Sequence, residues 1–417
     1  MFDRRSFLKL GLGASVAALA SRPGEALAAT ADPVLVVIFL RGGVDPLSVL
    51  PPASGTNRTL YDAARPNVRI AAPATLTNGA GFGVHPAMPK LRALYEGGEL
   101  AFALGAGSVN ATRSHFEQLD FIEGGDPVTR RTTGYLNRAL AAIPAPGFAL
   151  QGVAITDEMP FSLRGTSPSL RFPSLDRYGT LQRTGMTPGL PYATRLAEVS
   201  TPPTAGVNAT AAAIGSTAAV LNGSLVRVQA IIAQNAAVSA AATYGSGTFA
   251  ANVRDAARII ATEPKVRIVE VDLRGLDTHA LQGNDSSGDL KNRLVEIDNA
   301  LGAFVADAKR LGFWNRTCIT VMSEFGRNVA ENGSKGTDHG RGGVAFVAGP
   351  STIVSGRRIL VPAGFSLQTS ALVDGRDLPV TTDLRAIMGE VLTKHLAVTS
   401  LTNVFPGFTP TTPGLLV

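Results

Sequence analysis

The chain has 417 residues, 45% of them hydrophobic, which is enough to bury the core of one large domain. Charged residues make up only 17%, and this composition argues against a coiled coil or a charged disordered chain. The formal net charge is +6, but no cluster of Lys and Arg with interleaved aromatic residues occurs. The sequence therefore does not predict nucleic-acid binding.

The first thirty residues have the three parts of an export signal. Arg4 and Arg5 form a twin-arginine motif, a modest apolar run covers residues 10–20, and a small-residue cleavage pattern lies at residues 26–28. The apolar run is rich in Gly and Ala, which favours the twin-arginine (Tat) route over the Sec route; the alternative is a cytoplasmic N-terminal helix. We predict a signal peptide over residues 1–28, the Tat translocase as a transient partner, and a periplasmic mature protein.

The rest of the chain has the composition of an exported globular protein. No later stretch reaches the roughly 18 to 20 apolar residues that a membrane span needs, so no stable span is predicted. Cys318 is the only cysteine, so no intrachain disulfide can form. It lies in an apolar run and is interpreted as a buried strand residue rather than a nucleophile.

Apolar runs alternate with segments of helical spacing along the mature chain. Candidate strands cover residues 33–40, 100–104, 265–273, 317–322 and 344–348, and candidate helices begin at Ser114 or cover 289–311 and 383–396. This alternation predicts one α/β domain over residues 29–417, with a mostly parallel central sheet flanked by helices on both faces. A stretch rich in Ala, Ser, Thr and Asn predicts a helical insertion over about residues 180–255, with a linker as the alternative.

Polar residues recur directly after the candidate strands or in the connections that follow. In an open α/β sheet such loops converge on one edge, where ligands bind. Several carboxylates on one edge repel each other unless cations neutralise them, and mixed His and carboxylate ligands suit zinc, manganese or iron. We therefore predict a metal site at this edge. The candidate residues are Asp45, Ser114, His115, Asp277, His279, Glu324, Asp338 and His339.

Six segments of the sequence also resemble, in order and spacing, domain-of-unknown-function family 1501. They read FLRGGVD, SHFEQLDFIEGG, GYLNRAL, DTHALQ, MSEFGRNVAENGSKGTDHGRGGV and TTDLRAIMGEVLTKHL, and they span nearly the whole mature chain. That family is grouped with the alkaline phosphatase and sulfatase superfamily. The resemblance therefore implies an alkaline-phosphatase-like fold and a two-metal hydrolytic centre, but no particular substrate.

The resemblance further implies which residues would bind the metals. The implied ions are one or two divalent metals, zinc or manganese. Asp277 and His279 have the spacing D-x-H, whereas D-x-x-x-H is commoner in the superfamily. The implied ligands are Asp45 and Glu324 for one metal, and Asp277, His279 and His339, with Asp338 beside it, for the other.

The resemblance also implies a nucleophile at a helix N-terminus. Thr112 and Ser114 are the candidates, and Ser114 is the better one because helix amides would point at a bound anion. His115 is interpreted as a ligand, a substrate contact or a hydrogen-bonded structural histidine. The forked donors of arginine suit the clamping of phosphoryl or sulfuryl oxygens, and the candidates are Arg327, Arg113 and Arg341.

The sequence departs from the family pattern at three positions. Pro46 stands where Gly is usual, Arg341 replaces a His, and Phe325 stands where catalytic superfamily members have His. These departures predict an incomplete second site. Two hypotheses follow: an exported metal-dependent hydrolase of phosphate or sulfate esters, acting on an anionic small molecule or polymer, or a non-catalytic periplasmic protein that keeps the fold for envelope assembly or polymer binding.

Three polar residues also have simple structural interpretations. His85 is interpreted as a loop residue, and His395 as a cation in the last turn of the closing helix. Glu324 has an alternative to metal binding, which is an ion pair with Arg327 one helical turn further on.

Overall fold

The computed structural model of the chain describes residues 31–110, 112–143, 150–175, 227–228, 230–233, 237–409 and 411–417. The predicted signal peptide and most of the predicted insertion lie outside these described residues. The single-domain boundaries at 29 and 417 therefore remain predictions.

Strands of the described chain form a nine-stranded sheet and a separate two-stranded one. In chain order the strands are β1 (Val34–Leu40), β2 (Ala74–Thr75), β3 (Gly83–Val84), β4 (Leu100–Gly107), β5 (Gly152–Ile155), β6 (Ser169–Phe172), β7 (Ile268–Leu273), β8 (Thr317–Ser323), β9 (Gly343–Ala348), β10 (Arg358–Leu360) and β11 (Thr382–Asp383). The large sheet has the order β10-β4-β9-β8-β1-β7-β5-β6, and β11 pairs with the end of β4. Only β9 is antiparallel to its neighbours, so the predicted mostly parallel sheet is confirmed.

Helices of the described residues lie before, between and after these strands. They are α1 (Pro46–Val49), α2 (Gly55–Ala64), α3 (Pro89–Glu96), α4 (His115–Gly124), α5 (Tyr135–Ala142), α6 (Ala241–Tyr244), α7 (Thr248–Thr262), α8 (Asp289–Arg310), α9 (Leu384–Lys394) and α10 (Leu401–Val404). Short 3₁₀ turns cover Phe161–Leu163, Trp314–Arg316 and Thr369–Ala371.

Strand β1 lies at the centre of the sheet, and its side chains alternate between two hydrophobic cores. Val36 and Ile38 belong to the core covered by α3, α7 and α8. Leu35 and Val37 belong to the opposite core, covered by α5 and α9. Because both faces are covered, the whole strand is buried, which explains its continuous run of apolar residues. The predicted helical layers on both faces are thus confirmed.

The sheet brings several connecting loops to one edge. Parallel strands β1, β4, β7 and β8 all end there, so the residues that follow them share that edge. Strand β9 runs the other way, so it begins at this edge and the residues before it also lie there. This topology places the residues after β1, β4, β7 and β8 and before β9 in one region.

Each of the five predicted strands and three predicted helices corresponds to an observed element, whereas six shorter strands and the other helices of the described chain were not predicted. Strands β5 and β6 have four residues each and lie at one side of the sheet, and the sequence did not predict them. Helix α7 runs without a break through residue 255 and packs on β7. The end proposed for the insertion therefore falls within a helix that covers the sheet. Among the described residues, no helix has both the length and the hydrophobicity to cross a membrane.

His395, at the C-terminal end of α9, is not the cation that the sequence predicted. The side chain is buried, and Nε2 donates a hydrogen bond to the Val34 carbonyl at 3.0 Å. Burial lowers the pKa of His395 from 6.5 to about 4, because the charged form loses its hydration. The imidazole is therefore neutral at pH 7 and ties α9 to the start of β1.

This buried imidazole should make the free energy of unfolding depend on pH. Folding lowers the pKa of this basic group, so protonation favours the unfolded protein. The free energy of unfolding is therefore highest at pH values above the unfolded pKa, and it decreases as the pH falls from about 6.5 towards 4. Between pH 7 and pH 5 the loss for His395 is about 2 kcal/mol. Urea unfolding at both pH values should show a smaller fall in His395→Gln than in the parent protein. Equal falls in the two proteins would contradict a neutral His395.

Candidate metal centre

Three histidines and one aspartate converge at the edge of the sheet. The Nε2 atoms of His279 and His339 lie 2.9 Å apart, and each lies 3.0 Å from Asp277 Oδ1. The Nε2 atom of His115 lies 3.4 Å from Asp277 Oδ2. One candidate ligand atom from each of His115, Asp277 and His339 can be chosen so that all lie within 4.8 Å of one another. We call these four residues the His–Asp cluster.

Two of these histidines have a carboxylate behind the ring. His115 Nδ1 lies 2.8 Å from Glu324 Oε1, and His279 Nδ1 lies 3.0 Å from Asp338 Oδ1. Burial opposes ionisation of Glu324, but hydrogen bonds from His115 and the backbone outweigh it and lower its pKa. Hydrogen bonds from Asn332 and His279 lower the pKa of Asp338. Both carboxylates are thus ionised acceptors, and each histidine donates to its partner through Nδ1–H.

The third histidine has a backbone carbonyl behind its ring. His339 Nδ1 lies 2.8 Å from the Arg113 carbonyl oxygen, which can only accept, so Nδ1 carries the hydrogen. In the neutral form all three rings therefore keep their Nε2 lone pairs, and these lone pairs point towards Asp277. His115 Nε2 is buried and has no hydrogen-bond partner. Histidines that bind metals typically have this pattern, with one nitrogen fixed by an acceptor and the other free.

Asp277 is held in its charged form by a buried arginine. Burial opposes its ionisation, but the hydrogen bond and the positive charge of Arg327 outweigh burial and lower the pKa of Asp277 to about 2. Arg327 Nη2 lies 2.5 Å from Asp277 Oδ1. The other donors of this fully buried guanidinium reach the carbonyls of Gly42, Gly43 and Thr337. Arg327 therefore positions Asp277 and three loops, and its donors are not free to clamp a substrate.

The turn after β1 fits between these loops only because it is made of glycine. Gly42 has φ +120°, and a Cβ there would lie 2.6 Å from the Asp277 backbone nitrogen. Its N–H donates to Glu324 Oε1 at 2.7 Å. Gly43 has φ +68°, and a Cβ there would overlap the Phe325 ring. Both residues combine a left-handed φ with a close approach that excludes side chains.

Phe325 forms an apolar wall beside the His–Asp cluster. Its ring centroid lies 4.8 Å from those of both His115 and His339, and the side chain is buried. The sequence identified this position as one where catalytic superfamily members have His. Phe offers no ligand atom, so its contribution here is packing that orients two imidazoles and excludes water from one side.

Asp45, predicted as a metal ligand, is not among the described residues whose candidate ligand atoms group together. It caps α1 and forms a two-point ion pair with Arg65, at 2.5 and 3.0 Å, with both side chains fully buried. Ser48 and Gln282 donate two further hydrogen bonds to it, at 2.6 and 2.8 Å. Burial opposes ionisation, but Arg65 outweighs this and lowers the pKa of Asp45. These donors occupy both carboxylate oxygens of Asp45.

The two candidate nucleophiles lie just before the cluster in sequence. Ser114 is the N-cap residue of α4, as predicted, but its exposed side chain makes no capping hydrogen bond. The Thr112 hydroxyl accepts a long bond of 3.4 Å from the Ser114 amide. Within the described chain neither hydroxyl hydrogen-bonds to a residue of the His–Asp cluster. The helix begins with His115, so Ser114 is adjacent to a cluster residue along the backbone.

The sequence did not identify the residues that support the predicted ones. Arg65 lies in none of the six family segments, and Gln282 ends the segment DTHALQ without a role assigned to it, because the contact of both residues with Asp45 depends on the tertiary fold. Asn332 donates to Asp338 Oδ1 and to the His279 carbonyl, both at 2.8 Å. Asn332 lies inside the longest family segment, residues 322–344, and this position is the feature of the sequence that could have identified it.

The sequence of the chain matches the model of a defined protein family. A family model described as "protein of unknown function (DUF1501)" matches residues 110–359. This match covers more than half of the chain, so the chain belongs to that family, as the sequence predicted.

Similarities to individual proteins are more limited. Steryl-sulfatase from Rattus norvegicus is 30% identical over 126 residues, which is 23% of this chain and 22% of that protein. The chain thus spans about a fifth of the length of that curated relative. Solved structures with similarity include the C-terminal periplasmic domain of EcEptC from Escherichia coli in complex with Zn, with 13% identity, coverage of 77% of this chain and 74% of that one, and a TM-score of 0.31.

Two further solved structures have comparable similarity. The PsFucS1 sulfatase from Pseudoalteromonas sp. is 11% identical, with 81% of this chain and 68% of that chain covered and a TM-score of 0.33. The phosphonate monoester hydrolase SpPMH from Silicibacter pomeroyi is 13% identical, with 84% and 75% covered and a TM-score of 0.34. None of these similarities assigns an activity to this chain.

The buried pair of Arg65 and Asp45 should be important for stability. Arg65→Met leaves a buried carboxylate without its partner, so we expect the free energy of unfolding to fall by about 3–5 kcal/mol. The matched control is Arg130→Met, which removes an exposed ion pair with Asp120 and should cost less than about 1 kcal/mol. Urea unfolding of the three proteins measures both values. A small effect in Arg65→Met would show that the pair is dispensable.

Proposed function

We propose that the chain is an exported metal-dependent hydrolase of phosphate or sulfate esters. The observation that carries this proposal is the convergence of three imidazole Nε2 atoms on the Asp277 carboxylate, with Nδ1 of each ring held by an acceptor. Neutral imidazole lone pairs repel one another at these distances. A cation bound between them would remove this repulsion, so the arrangement favours cation binding.

The chemistry and spacing of the donors fit a divalent transition metal. Three imidazole nitrogens and a carboxylate are ligands that zinc accepts, and manganese is the alternative. In tetrahedral zinc sites with bonds of about 2.1 Å, ligand atoms lie roughly 3.4 Å apart. Three distances between donor atoms, 2.9, 3.0 and 3.4 Å, are close to that separation, and the atoms chosen from His115, Asp277 and His339 all lie within 4.8 Å of one another. We propose His115, Asp277, His279 and His339 as the residues that hold the ion.

The state of Asp45 favours one ion rather than two. Its oxygens already accept hydrogen bonds from Arg65, Ser48 and Gln282, and the Arg65 guanidinium supplies the positive charge that a second ion would supply. We propose that Glu324 and Asp338 act as positioning residues, which hold His115 and His279 through Nδ1. This assignment replaces their predicted role as ligands.

A bound divalent metal would supply Lewis acidity that offsets the negative charge of the ester oxygens. The chain's own residues then have separate tasks. Arg327 keeps Asp277 in place, and Phe325 excludes water from one side of the cluster. Ser114 is the proposed attacking group, since its hydroxyl is exposed at the N-terminus of α4, where backbone amides favour a negative charge.

Export through the Tat route is part of the proposal. Arg4 and Arg5, followed by an apolar run and a small-residue site near Ala28, support a cleaved signal and a periplasmic location. These residues lie outside the described part of the chain. A folded protein that carries a metal into the periplasm would suit this route.

A specific observation favours a second candidate function, that of a non-catalytic periplasmic binding or envelope-assembly protein. Neither Ser114 nor Thr112 hydrogen-bonds to the cluster within the described chain, and the donors of Arg327 are used by backbone carbonyls and Asp277. A protein that binds a metal and an anionic polymer without cleaving it would need neither a nucleophile nor a free clamp at the metal.

Metal content is the first test of the site. Protein recovered from the periplasm should contain about one equivalent of zinc or manganese by inductively coupled plasma mass spectrometry. The paired change Asp277→Asn, His339→Gln should abolish metal binding, whereas Glu324→Gln should weaken it by about 10–100-fold. Asp120→Asn, on the exposed part of α4, is the control and should keep its metal. A folded parent protein that takes up no added zinc or manganese would refute the site.

Hydrolysis is tested with 4-nitrophenyl phosphate and 4-nitrophenyl sulfate on the metal-loaded protein. Ser114→Ala should lower turnover at least about 10³-fold, because the attacking oxygen is removed, while metal content stays unchanged. Ser286→Ala, at an exposed loop position, is the matched control. Full activity in Ser114→Ala would exclude Ser114 as the nucleophile. Bound metal without turnover of either ester would favour the non-catalytic function.

A further inference from the structure

A cluster of three arginines and two aspartates lies next to His339. Its members are Arg113, Arg341, Arg376, Asp374 and Asp377, and we call it the arginine cluster. It is joined to the metal centre through the backbone, because the Arg113 carbonyl accepts from His339 Nδ1 and Arg376 Nη2 lies 3.4 Å from the His339 carbonyl.

Arg113 is held by short bonds to both aspartates of this cluster. Its Nε and Nη2 donate to Asp377 Oδ2 at 2.9 and 2.5 Å, and Nη2 also reaches Asp374 Oδ2 at 2.6 Å. Asp377 is fully buried and so forms a fixed base for the cluster. The sequence predicted Arg113 as a substrate clamp, but these two carboxylates hold it in place.

Arg341 and Arg376 have much weaker contacts. Arg341 Nη2 lies 3.4 Å from Asp374 Oδ2, and its Nε, 3.9 Å from Asp377, is a buried donor without a hydrogen-bond partner. Arg376 Nε lies 3.4 Å from Asp377 Oδ1. A guanidinium has five N–H donors, and these side chains are 35% and 45% exposed. Unlike Arg113, Arg341 and Arg376 therefore form no short hydrogen bond to the two aspartates.

The charge of the cluster also favours an anion. Three guanidinium groups face two carboxylates, so the cluster has an excess of one positive charge. The planar fork of arginine matches the oxygens of a sulfate or phosphate group. Among the described residues, no hydrogen bond or ion pair joins the side chain of Arg341 or Arg376 to a side chain of the His–Asp cluster, so the two sets of donor groups are separate.

We propose that Arg341 and Arg376 form an anion subsite for a sulfate or phosphate group other than the ester at the metal centre. This proposal rests on the proposed function, because the bound anion is part of a substrate only if the protein hydrolyses esters. The substrate would then be a multiply charged ester, such as a sulfated or phosphorylated saccharide. Anion binding by the two arginines is itself independent of hydrolysis.

The test uses sucrose octasulfate, a sulfated saccharide, as the probe in isothermal titration calorimetry. The proteins are the parent, the paired variant Arg341→Gln, Arg376→Gln, and a matched control with two exposed arginines changed, Arg69→Gln, Arg92→Gln. Loss of the subsite should raise the Kd at least about tenfold, whereas the control should stay within about twofold. Metal content should be equal in all three proteins.

The titration is repeated on metal-stripped protein to separate this inference from the proposed function. If the paired variant binds more weakly than the control in the stripped protein too, the subsite stands even when no ester is hydrolysed. If the parent does not bind the probe, or the paired variant and the control have the same Kd, the subsite is refuted. Metal binding and ester hydrolysis could then still hold.

Discussion

The buried guanidinium of Arg327 is the interaction on which the site depends. The loops after β1, after β7 and before β9 bring backbone carbonyls together where no strand can pair them, and a buried carbonyl without a donor costs free energy. Arg327 donates to Gly42, Gly43 and Thr337 and, through the same group, to Asp277. One side chain thus satisfies the loop backbones and fixes the only carboxylate of the His–Asp cluster.

The carboxylates of this edge divide into three kinds according to their partners. Asp277 faces the imidazole nitrogens, Glu324 and Asp338 stand behind two of the rings, and Asp45 is neutralised by Arg65. The residue type is similar in all four positions, so only the arrangement of donors around each group separates them. A carboxylate that already accepts three or four hydrogen bonds has little left for a cation, whereas Asp277 is 45% exposed on its side chain.

Much of this arrangement could be predicted from the sequence, because it follows from local patterns. Continuous apolar runs gave β1 and β8 nearly to the residue, and the rule that strand-end loops converge predicted the edge that holds Asp277, His279 and His339. The family segments predicted the membership that the match over residues 110–359 confirms.

The remainder could not be predicted because it depends on pairs far apart in sequence. From its position after β1, Asp45 resembles a metal ligand. Its ion pair with Arg65 is a tertiary contact that no local sequence pattern predicts. His395 has the position of a helix C-terminal cation, but burial against β1 makes it neutral. Short strands such as β5 and β6, with four residues each, are too short for a periodic signal.

The reversed direction of β9 has a consequence for how costly ligand binding is. Residues 324–342 leave the sheet at the end of β8 and return to it at the start of the adjacent β9, so both ends of this segment are anchored at the same edge. It carries Glu324 at one end and His339 near the other. Because both ends are fixed in the sheet, this segment loses most of its conformational entropy when the protein folds. An ion arriving at the edge would therefore find His339 and the partner of His115 already in place, and little of its binding energy would be consumed in ordering the chain.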